Sequence, residues 1–331
     1  MVQERLRATR PTGAKSIWLA SVFTVPLGAL PFADFLARSI VPMIQAAMMV
    51  LLAVFGLILL AFLLFKRWIA AGVVAVGLLF STAVMALPPT VSAGATMLLA
   101  AEQAQAPDIT VLTLNVEYSR ADIEQTIAQI SASGADLVVL VEVNENFVKA
   151  LLKGGLAEQL PHRTGEVISY GSAGTAILSR WAVDFEFDFA DVIPGERIAD
   201  HPVVVVHHPS GPVRVVGVHP WPPVGDSVDS WYQTLTELTT WHEQATDLPL
   251  IIAGDFNASN GHPVYRRLAA DLTDTAVVAG PLPQPTWPVH EWIPPFTALD
   301  HVLVRDLKPV SWHTFEVDGT DHLGIVTGVI F

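Results

Sequence analysis

The sequence predicts an α/β domain of two packed sheets flanked by helices, preceded by an apolar helical region. Almost all the long apolar runs of this 331-residue chain lie before residue 102. After residue 108, many short apolar runs alternate with few helical patterns, which favours paired sheets over a doubly wound parallel sheet. We therefore divide the chain into a membrane region at 1–90, a juxtamembrane linker at 91–107 and a soluble domain at 108–331.

The soluble domain contains apolar runs of strand length and two segments with helical spacing. In Asp122–Ile130 the isoleucines at 123, 127 and 130 recur at helical spacing, and Ser227–Gln244 also predicts a helix. Strands are predicted at Ile109–Val116, Leu137–Val141, Gly174–Leu178, Val203–Val206, Val213–Val218, Leu250–Ala253, Val302–Val304 and Gly324–Ile330.

The membrane region consists of three apolar stretches, at 17–33, 40–65 and 69–87. A spanning helix needs about 20 apolar residues, so these stretches predict about three transmembrane helices. A cleaved signal peptide is the alternative for the first stretch, which prolines interrupt. Basic residues precede the first stretch and separate the second from the third, whereas none follows the third until Arg120. The positive-inside rule then predicts a multi-pass protein of the cell membrane, with a cytoplasmic N-terminus and an extracytoplasmic soluble domain.

The charge of the chain divides at the same place as its hydropathy. The whole chain carries a net charge of −14, and the part up to Ala101 carries about +5, which leaves about −19 on the remainder. Proteins that bind duplex nucleic acid normally present a basic stripe, so this acidity disfavours long nucleic acids as the substrate. The chain has no cysteine, which excludes disulfides and thiolate zinc sites.

Oxygen ligands occur at the ends of the first two predicted strands. Asn115 lies within an apolar strand, Glu117 follows on the same face, and Glu142 directly follows the next strand. A buried amide needs hydrogen-bond partners, so Asn115 is either a structural amide or a ligand. Glu142 alone would suit a solvated strand end equally well. Together these side chains predict a Mg²⁺ site, because Mg²⁺ prefers carboxylate and amide oxygens.

Acid–base candidates follow the later strands. In Gly254-Asp255-Phe256-Asn257, Asp255 can take a proton from water and Asn257 can orient a phosphate, with a simple Asx turn as the alternative. His322 follows Asp321 near the last strand, and an imidazole paired with a buried carboxylate stabilises charge on phosphorus. His219, which closes the strand at Val213–Val218, is the third candidate. The Asp-His pair at 200–201 is not predicted to be functional.

Taken in order, these residues resemble the endonuclease/exonuclease/phosphatase superfamily over about 108–331. The pieces are Leu-Asn-Val-Glu at 114–117, Val-Glu at 141–142, Gly-Thr-Ala-Ile-Leu-Ser-Arg at 174–180, Val-His at 218–219, Gly-Asp-Phe-Asn at 254–257, Leu-Asp-His-Val-Leu at 299–303 and Asp-His-Leu at 321–323. The resemblance implies a four-layer α/β sandwich with a metal at one edge of the paired sheets. One departure is Leu299, which stands where a basic residue often precedes the aspartate.

The resemblance also implies the role of each residue. Asn115, Glu142 and Asp321 would surround Mg²⁺, with Mn²⁺ as an alternative ion and Glu117 as an auxiliary acidic group. Asp255 would activate water, Asn257 and His219 would bind the phosphate, and Asp300 would orient His322. In the proline-rich segment 281–296, Trp287 could stack on the substrate, or the segment folds back on the core.

The predicted activity is metal-assisted in-line hydrolysis of a phosphodiester by a membrane-anchored nuclease or related phosphodiesterase. The partners are the phosphate-ester substrate, which is a nucleic acid, a nucleotide or a lipid headgroup, and the bilayer. Two alternatives remain: a phospholipase C, sphingomyelinase or inositol-phosphate-type phosphatase at the membrane surface, and a receptor module without catalysis.

Overall fold

The computed structural model describes residues 22–86, 105–167, 172–191, 199–281 and 284–331. Its N-terminal part is helical, with α1 at 22–29 and two 3₁₀ turns at Leu30–Phe32 and Asp34–Leu36. Three further helices follow, which are α2 at Val41–Ala46, α3 at Met48–Leu64 and α4 at Trp68–Ala86. The helices α3 and α4 pack against each other. Most of the predicted linker at 91–107 lies outside the described residues.

Within the described ranges, no helix combines the length and the apolarity needed to cross a membrane. The prediction of about three transmembrane helices is therefore not supported by the structure. The second predicted stretch, 40–65, is divided at Ala47 into α2 and α3, and α3 has 17 residues. The third stretch corresponds to α4, whereas the first begins outside the described residues.

The first sheet contains six strands in the order β11-β12-β1-β2-β4-β3. Its central strands β1 and β2 are parallel, and its other pairs are antiparallel. The strands are β1 at Ile109–Asn115, β2 at Leu137–Val141, β3 at His162–Arg163, β4 at Thr175–Ser179, β11 at Lys308–Phe315 and β12 at Gly324–Ile330.

The second sheet also contains six strands, in the order β5-β6-β7-β8-β10-β9, and its central strands β7 and β8 are parallel. Each sheet thus has one parallel pair near its middle. The strands are β5 at Val183–Asp188, β6 at Pro202–His208, β7 at Gly211–Val218, β8 at Leu250–Asp255, β9 at Thr273–Asp274 and β10 at Asp300–Arg305.

Helices cover the outer faces of both sheets. The first sheet packs on α5 at Ile123–Ser133 and α6 at Glu145–Leu151, which continues through a π-turn at Leu152–Leu156 and a short turn at Ala157–Gln159. The second sheet packs on α7 at Val228–Gln244 and α8 at Pro263–Leu268. A short helix α9 at Thr275–Ala279 and 3₁₀ turns at Phe189–Asp191 and Gly225–Ser227 complete the fold.

Three apolar clusters hold these layers together. One lies between the first sheet and its helices, one between the two sheets, and one between the second sheet and its helices. The middle cluster contains Val139 and Ile177 from the first sheet and Val215 and Ile251 from the second. Strands buried on both faces read as continuous apolar runs, which explains why the sequence identified them. The structure therefore confirms the predicted paired sheets flanked by helices.

Candidate active site

The candidate site is built where the carboxyl ends of the two parallel strand pairs meet. Asn115 ends β1, Glu142 follows β2, His219 follows β7 and Asp255 ends β8. Two antiparallel strands contribute from the same edge: Asp300 begins β10 directly opposite Asp255, and Asp321 and His322 shortly precede β12. The fold thus brings the predicted residues to one edge of the sandwich.

Asp255 lies at the centre of this arrangement with its side chain almost fully buried. Its Oδ1 accepts the backbone N–H of Asn257 at 2.7 Å, and its Oδ2 accepts Nδ2 of Asn115 at 3.1 Å. The same Oδ2 lies 3.8 Å from Nε2 of His219 and 3.7 Å from Nε2 of His322. Burial, together with the charge of Asp300, raises the pKa of Asp255 to about 6.

The backbone around Asp255 depends on its two neighbours. Gly254 has φ of +143°, and a Cβ there would lie 2.0 Å from the carbonyl oxygen of Val218, so this close approach of β7 and β8 requires glycine. Asn257 has φ of +48°, and its Nδ2 donates to the carbonyl oxygen of Pro220 at 3.0 Å. The left-handed backbone at a polar residue is typical of functional sites held by their surroundings.

His322 forms a carboxylate–imidazole pair with Asp300. Nδ1 of His322 donates to Oδ2 of Asp300 at 2.8 Å, and both side chains are buried. Burial opposes a charge on the ring, yet Asp300, Asp255 and Asp321 together raise the pKa of His322 to about 10. His322 is therefore an imidazolium at neutral pH, and its Nε2 carries a hydrogen into the site.

His219 is the second imidazole close to Asp255. Its Nδ1 donates to the carbonyl oxygen of Ser172 at 3.2 Å, and its Nε2 lies 3.5 Å from Oε1 of Glu142. Burial lowers the pKa of His219, although the charge of Asp255 opposes the shift. The two imidazoles thus differ, because only His322 has a carboxylate bonded to its second nitrogen.

The acidic residues predicted around the metal also converge. Asn115 donates from Nδ2 to Oε1 of Glu142 at 3.1 Å, and its Oδ1 accepts the N–H of Glu117 at 2.9 Å. Burial and the charges of Asp321 and Glu142 raise the pKa of Glu117 despite its ion pair with Arg120. Burial also raises the pKa of Glu142. The structure places Asn115 as a bridge between Glu142 and Asp255, with its amide nitrogen toward both carboxylates.

Three supporting contacts were not predicted from the sequence. Nε1 of Trp287 donates to Oδ2 of Asp321 at 2.8 Å, so Trp287 supports a carboxylate of the site. Nδ1 of His201, set aside in the sequence analysis, accepts the N–H of His219 at 3.1 Å. Thr320 donates to the carbonyl oxygen of Asn115 at 2.7 Å. The sequence signals for two of them were the aromatic, proline-rich segment that contains Trp287 and the position of His201 directly before a strand.

Two groups of side chains have the donor atoms to hold a divalent ion. Asp255, Asp300 and His322 have ligand atoms within 4.8 Å of one another, and Oδ1 of Asp300 is buried without a hydrogen-bond partner among the described residues. A protonated imidazole is a poor ligand, however, and His322 donates to Asp300. The carboxylates of Glu142, Glu117 and Asp321 repel one another and offer hard oxygens, so they fit a divalent cation better.

A cavity of about 560 Å³ lies beside these residues. Its lining includes Thr175, which is the register partner of Val141, together with Phe185 and the buried carboxylates of Asp188 and Asp200. None of the converging acid–base side chains lines it. The reacting groups therefore lie next to this cavity and not inside it.

Fold and site together define a class: a two-sheet α/β sandwich with a carboxylate–imidazole centre and an acidic cluster at the carboxyl ends of its parallel strands. The profile of the Endonuclease/Exonuclease/phosphatase family matches residues 112–322, so the chain belongs to this family. Members of the family are typically hydrolases that act on phosphoester bonds, and they typically use divalent metals. A search of curated proteins finds no match.

Solved structures share the fold. An endonuclease/exonuclease/phosphatase from Beutenbergia cavernae DSM 12333 is 21% identical with a TM-score of 0.51, covering 68% of this chain and 72% of its own. A humanized D. rerio TDP2 with 14 mutations is 17% identical with a TM-score of 0.55, and the match covers 67% of this chain and 99% of the TDP2 chain. D. rerio TDP2 complexed with single-strand DNA product gives 17% identity, a TM-score of 0.53 and the same coverage.

Proposed function

We propose that this chain is a divalent-metal-dependent phosphodiesterase, either a nuclease or a related enzyme, that attacks phosphorus with water. The observation that carries the proposal is the closeness of Asp255 to two imidazoles, because its Oδ2 lies within 3.8 Å of Nε2 of both His219 and His322. A phosphate bound there would meet a base on the side of attack and hydrogen-bond donors around its oxygens.

Asp255 serves as the general base in this proposal. Its pKa of about 6 leaves it ionised at neutral pH yet basic enough to take a proton from water. The N–H of Asn257 and the amide of Asn115 occupy both oxygens from the protein side and thus fix the plane of the carboxylate. The Asn257 side chain, bound to Pro220, would orient a phosphate oxygen close by.

His322 serves as the charged donor. Asp300 holds its Nδ1 and keeps the ring protonated, so its Nε2–H can donate to a phosphoryl oxygen as negative charge develops. His219 lies within 3.8 Å of the same Asp255 oxygen and would contact the phosphate from the opposite side. Glu142, Asp321 and Glu117 would hold Mg²⁺ or Mn²⁺, which when bound supplies positive charge against the phosphate and the leaving oxygen.

Hydrolysis of a generic chromogenic phosphodiester by the full-length chain tests this proposal. We expect turnover with Mg²⁺ or Mn²⁺, loss of turnover in EDTA and recovery when the ion is returned in excess. Full activity in the chelator would show that hydrolysis does not depend on a divalent metal. A chain without turnover under any of these conditions would favour the receptor module.

The N-terminal helices favour a second candidate, an enzyme that acts on phospholipid headgroups. Large apolar side chains on these helices are exposed, among them Leu57, Leu64, Phe65, Trp68 and Ile69. Contiguous exposed apolar surface marks protein or membrane contacts. Hydrolysis of phospholipid vesicles but not of DNA, RNA, nucleotides or inositol phosphates would select this candidate over a nuclease.

We also propose that residues 22–86 attach the enzyme to a membrane with the catalytic domain outside the cytoplasm. The exposed apolar side chains and the placement of basic residues before the third apolar stretch support this location. Protease added to intact cells should then cleave the catalytic domain, and the chain should sediment with membranes. A protease-resistant domain in intact cells, released by salt, would contradict both parts.

A further inference from the structure

The loop that follows Asp255 and Asn257 has two halves, and the catalytic domain holds the first. Nε1 of the buried Trp231 donates to the carbonyl oxygen of Phe256 at 3.2 Å. Nε2 of His301 donates to the carbonyl oxygen of Ala258 at 3.0 Å. The ring of Trp231 also packs edge to face on His262, with ring centroids 5.1 Å apart, so this one side chain contacts the loop before Asn257 and again in its second half at residues 259–262.

The second half of the loop also contacts the N-terminal part of the chain, in addition to its contacts with Trp231 and Arg266. His262 is fully buried, with Nδ1 accepting the N–H of Ser259 at 2.9 Å and Nε2 donating to the carbonyl oxygen of Pro42 at 2.9 Å. Both ring nitrogens are therefore used, and only one neutral tautomer satisfies both partners. This imidazole connects the turn after the catalytic strand directly to α2.

Gly261 shows how closely the two parts fit. A Cβ at this position would lie 1.9 Å from the carbonyl oxygen of Gln45, which is closer than real Cβ contacts. Gln45 is itself buried, and its Nε2 donates to the carbonyl oxygen of Leu30 at 2.9 Å. The backbone of α2 thus rests on a position of the loop where no side chain fits.

Polar contacts from α8 extend the same interface. Arg266 donates to the carbonyl oxygen of Asn260 at 2.6 Å and also to that of Pro31. Asp34 pairs with Arg267 and accepts the hydroxyl of Tyr232 at 3.0 Å. Residues 30–48, which we call the docking segment, therefore bind the loop, α8 and α7 together.

We infer that the docking segment is a positioning element of the active site, which acts through loop 258–262 on Asn257 and Asp255. The inference rests on the proposed phosphodiesterase function. Asn257 has a left-handed backbone that its surroundings must hold, and its N–H fixes Oδ1 of Asp255. When the second half of the loop loosens, this N–H and the Asn257 amide move relative to the phosphate.

Gly261→Ala tests the inference, because its methyl group must push the docking segment away. The control is Gly56→Ala in α3, where an added Cβ meets nothing within 4 Å. We expect kcat of the full-length Gly261→Ala chain to fall by about ten- to hundred-fold, as for other small misplacements of catalytic groups. KM should change by less than about two-fold, since the loop acts on the reacting groups, whereas Gly56→Ala should match the wild type.

Hydrogen exchange supplies a readout that does not depend on turnover. The amides of residues 257–262 should exchange faster in Gly261→Ala than in the wild type, and those of β2 should not change. Faster exchange with unchanged kcat would reduce the docking segment to a purely structural support and overturn the inference, as would unchanged exchange. A wild-type chain without phosphodiesterase activity would instead refute the proposed function while the exchange result remains readable.

Two substitutions of His262 distinguish its hydrogen bond to Ser259 within the loop from its hydrogen bond to Pro42 in the docking segment. His262→Asn places an amide near the Nδ1 position and can keep the Ser259 contact, but it cannot reach Pro42. His262→Gln reaches the Nε2 position and can keep the Pro42 contact. The inference predicts higher kcat for His262→Gln than for His262→Asn at equal thermal stability, and the reverse order would contradict it.

Discussion

At the scale of single residues, the site works through the different environments of chemically similar groups. Asp255 and Asp300 face each other across β8 and β10, yet they have different neighbours. Asp300 is bonded to His322 and keeps that ring charged, whereas Asp255 is held by amide donors and carries a raised pKa. When their environments separate the pKa values of two titrating groups in this way, one group typically serves as the acid and the other as the base.

Asp300→Asn keeps the size of the side chain and removes its charge, so it tests the role of the pair. The pKa of His322 is about 10 because Asp300 and two other carboxylates outweigh burial. In the proposed mechanism activity requires the protonated ring, so activity should fall on the alkaline side as pH passes this pKa. In Asp300→Asn the alkaline limb of kcat/KM should move to lower pH, and kcat at neutral pH should fall. An unchanged alkaline limb of the pH profile would show that protonation of His322 is not required for catalysis.

The stability of the chain should depend on pH through His262. Burial, opposed by bonds to Pro42 and Ser259, lowers the pKa of this ring to about 4. The folded state thus holds the neutral form, and the stabilisation is complete above the ordinary pKa near 6.5 and lost as pH falls towards 4. Chemical denaturation of the wild type should show that its free energy of unfolding falls by on the order of 3 kcal/mol between the ordinary pKa and the lowered pKa of the ring.

His262→Asn supplies the control for that measurement, since the variant lacks the titrating ring. Its free energy of unfolding should be lower than that of the wild type at pH 7.5 and should change less between pH 6.5 and 4. The nearby charges of Arg266 and His301 also disfavour the protonated ring, and they remain in the variant. If the free energy of unfolding fell equally with pH in the two proteins, groups other than His262 would cause the loss of stability in acid.

At the scale of elements, the segment at 284–297 supports the site from outside the sheets. Trp287 bonds to the side chain of Asp321, and the N–H of Val289 donates to the backbone carbonyl of Asp321 at 2.8 Å. Phe296 packs on Trp287 edge to face with ring centroids 5.7 Å apart. The segment therefore folds back on the site and positions one of the proposed ligands.

Trp287→Phe keeps the ring packing and removes the hydrogen bond to Asp321. Groups that bond to ligands typically affect metal affinity by about 10- to 100-fold when they are lost. We expect the Mg²⁺ concentration for half-maximal activity to rise by about ten-fold, with a smaller change in the maximal rate. Trp292→Phe is the control, because Trp292 is 89% exposed. Equal effects of the two substitutions on a soluble substrate would contradict the assigned role.

Most strands and helices of the soluble domain could be predicted from the sequence. All eight predicted strands and both predicted helices of the soluble domain are present, because buried strands give continuous apolar runs. The missed strands β5 and β11 lie at sheet edges or alternate exposed and buried residues, and β3 and β9 have only two residues each. In β5 the alternation of Val183, Phe185 and Phe187 with acidic residues was a strand signal.

The contacts of the site were less accessible from the sequence. The motif order indicated which residues matter, but not that Asn115 joins two carboxylates or that Trp287 holds Asp321. Such contacts depend on register between strands and on loops far apart in the chain. The N-terminal region shows a related limit: hydropathy predicted spanning helices, but it did not indicate that Pro42 and Gln45 contact the loop at 258–262.

At the scale of the whole molecule, the two sheets serve as a rigid frame that brings six chain segments to one edge. The core between the sheets is mainly apolar, with buried threonines at 113, 175 and 327, and the polar groups of the site lie at its end. The acidic balance of the catalytic part, about −19, would repel a polyanionic substrate unless a bound cation reversed the local field. In the proposed function, the metal and the substrate therefore bind at the same edge of the sandwich.

The rate of phosphodiester hydrolysis by Asp255→Asn tests the central claim most directly. The full-length wild type, Asp255→Asn and the exposed control Asp229→Asn would be compared in saturating Mg²⁺ at pH 7.5, with folding checked by circular dichroism. General-base catalysis predicts a loss of about 10²- to 10⁴-fold in kcat for Asp255→Asn and none for the control. A folded Asp255→Asn protein that hydrolyses the substrate at the wild-type rate would contradict the account.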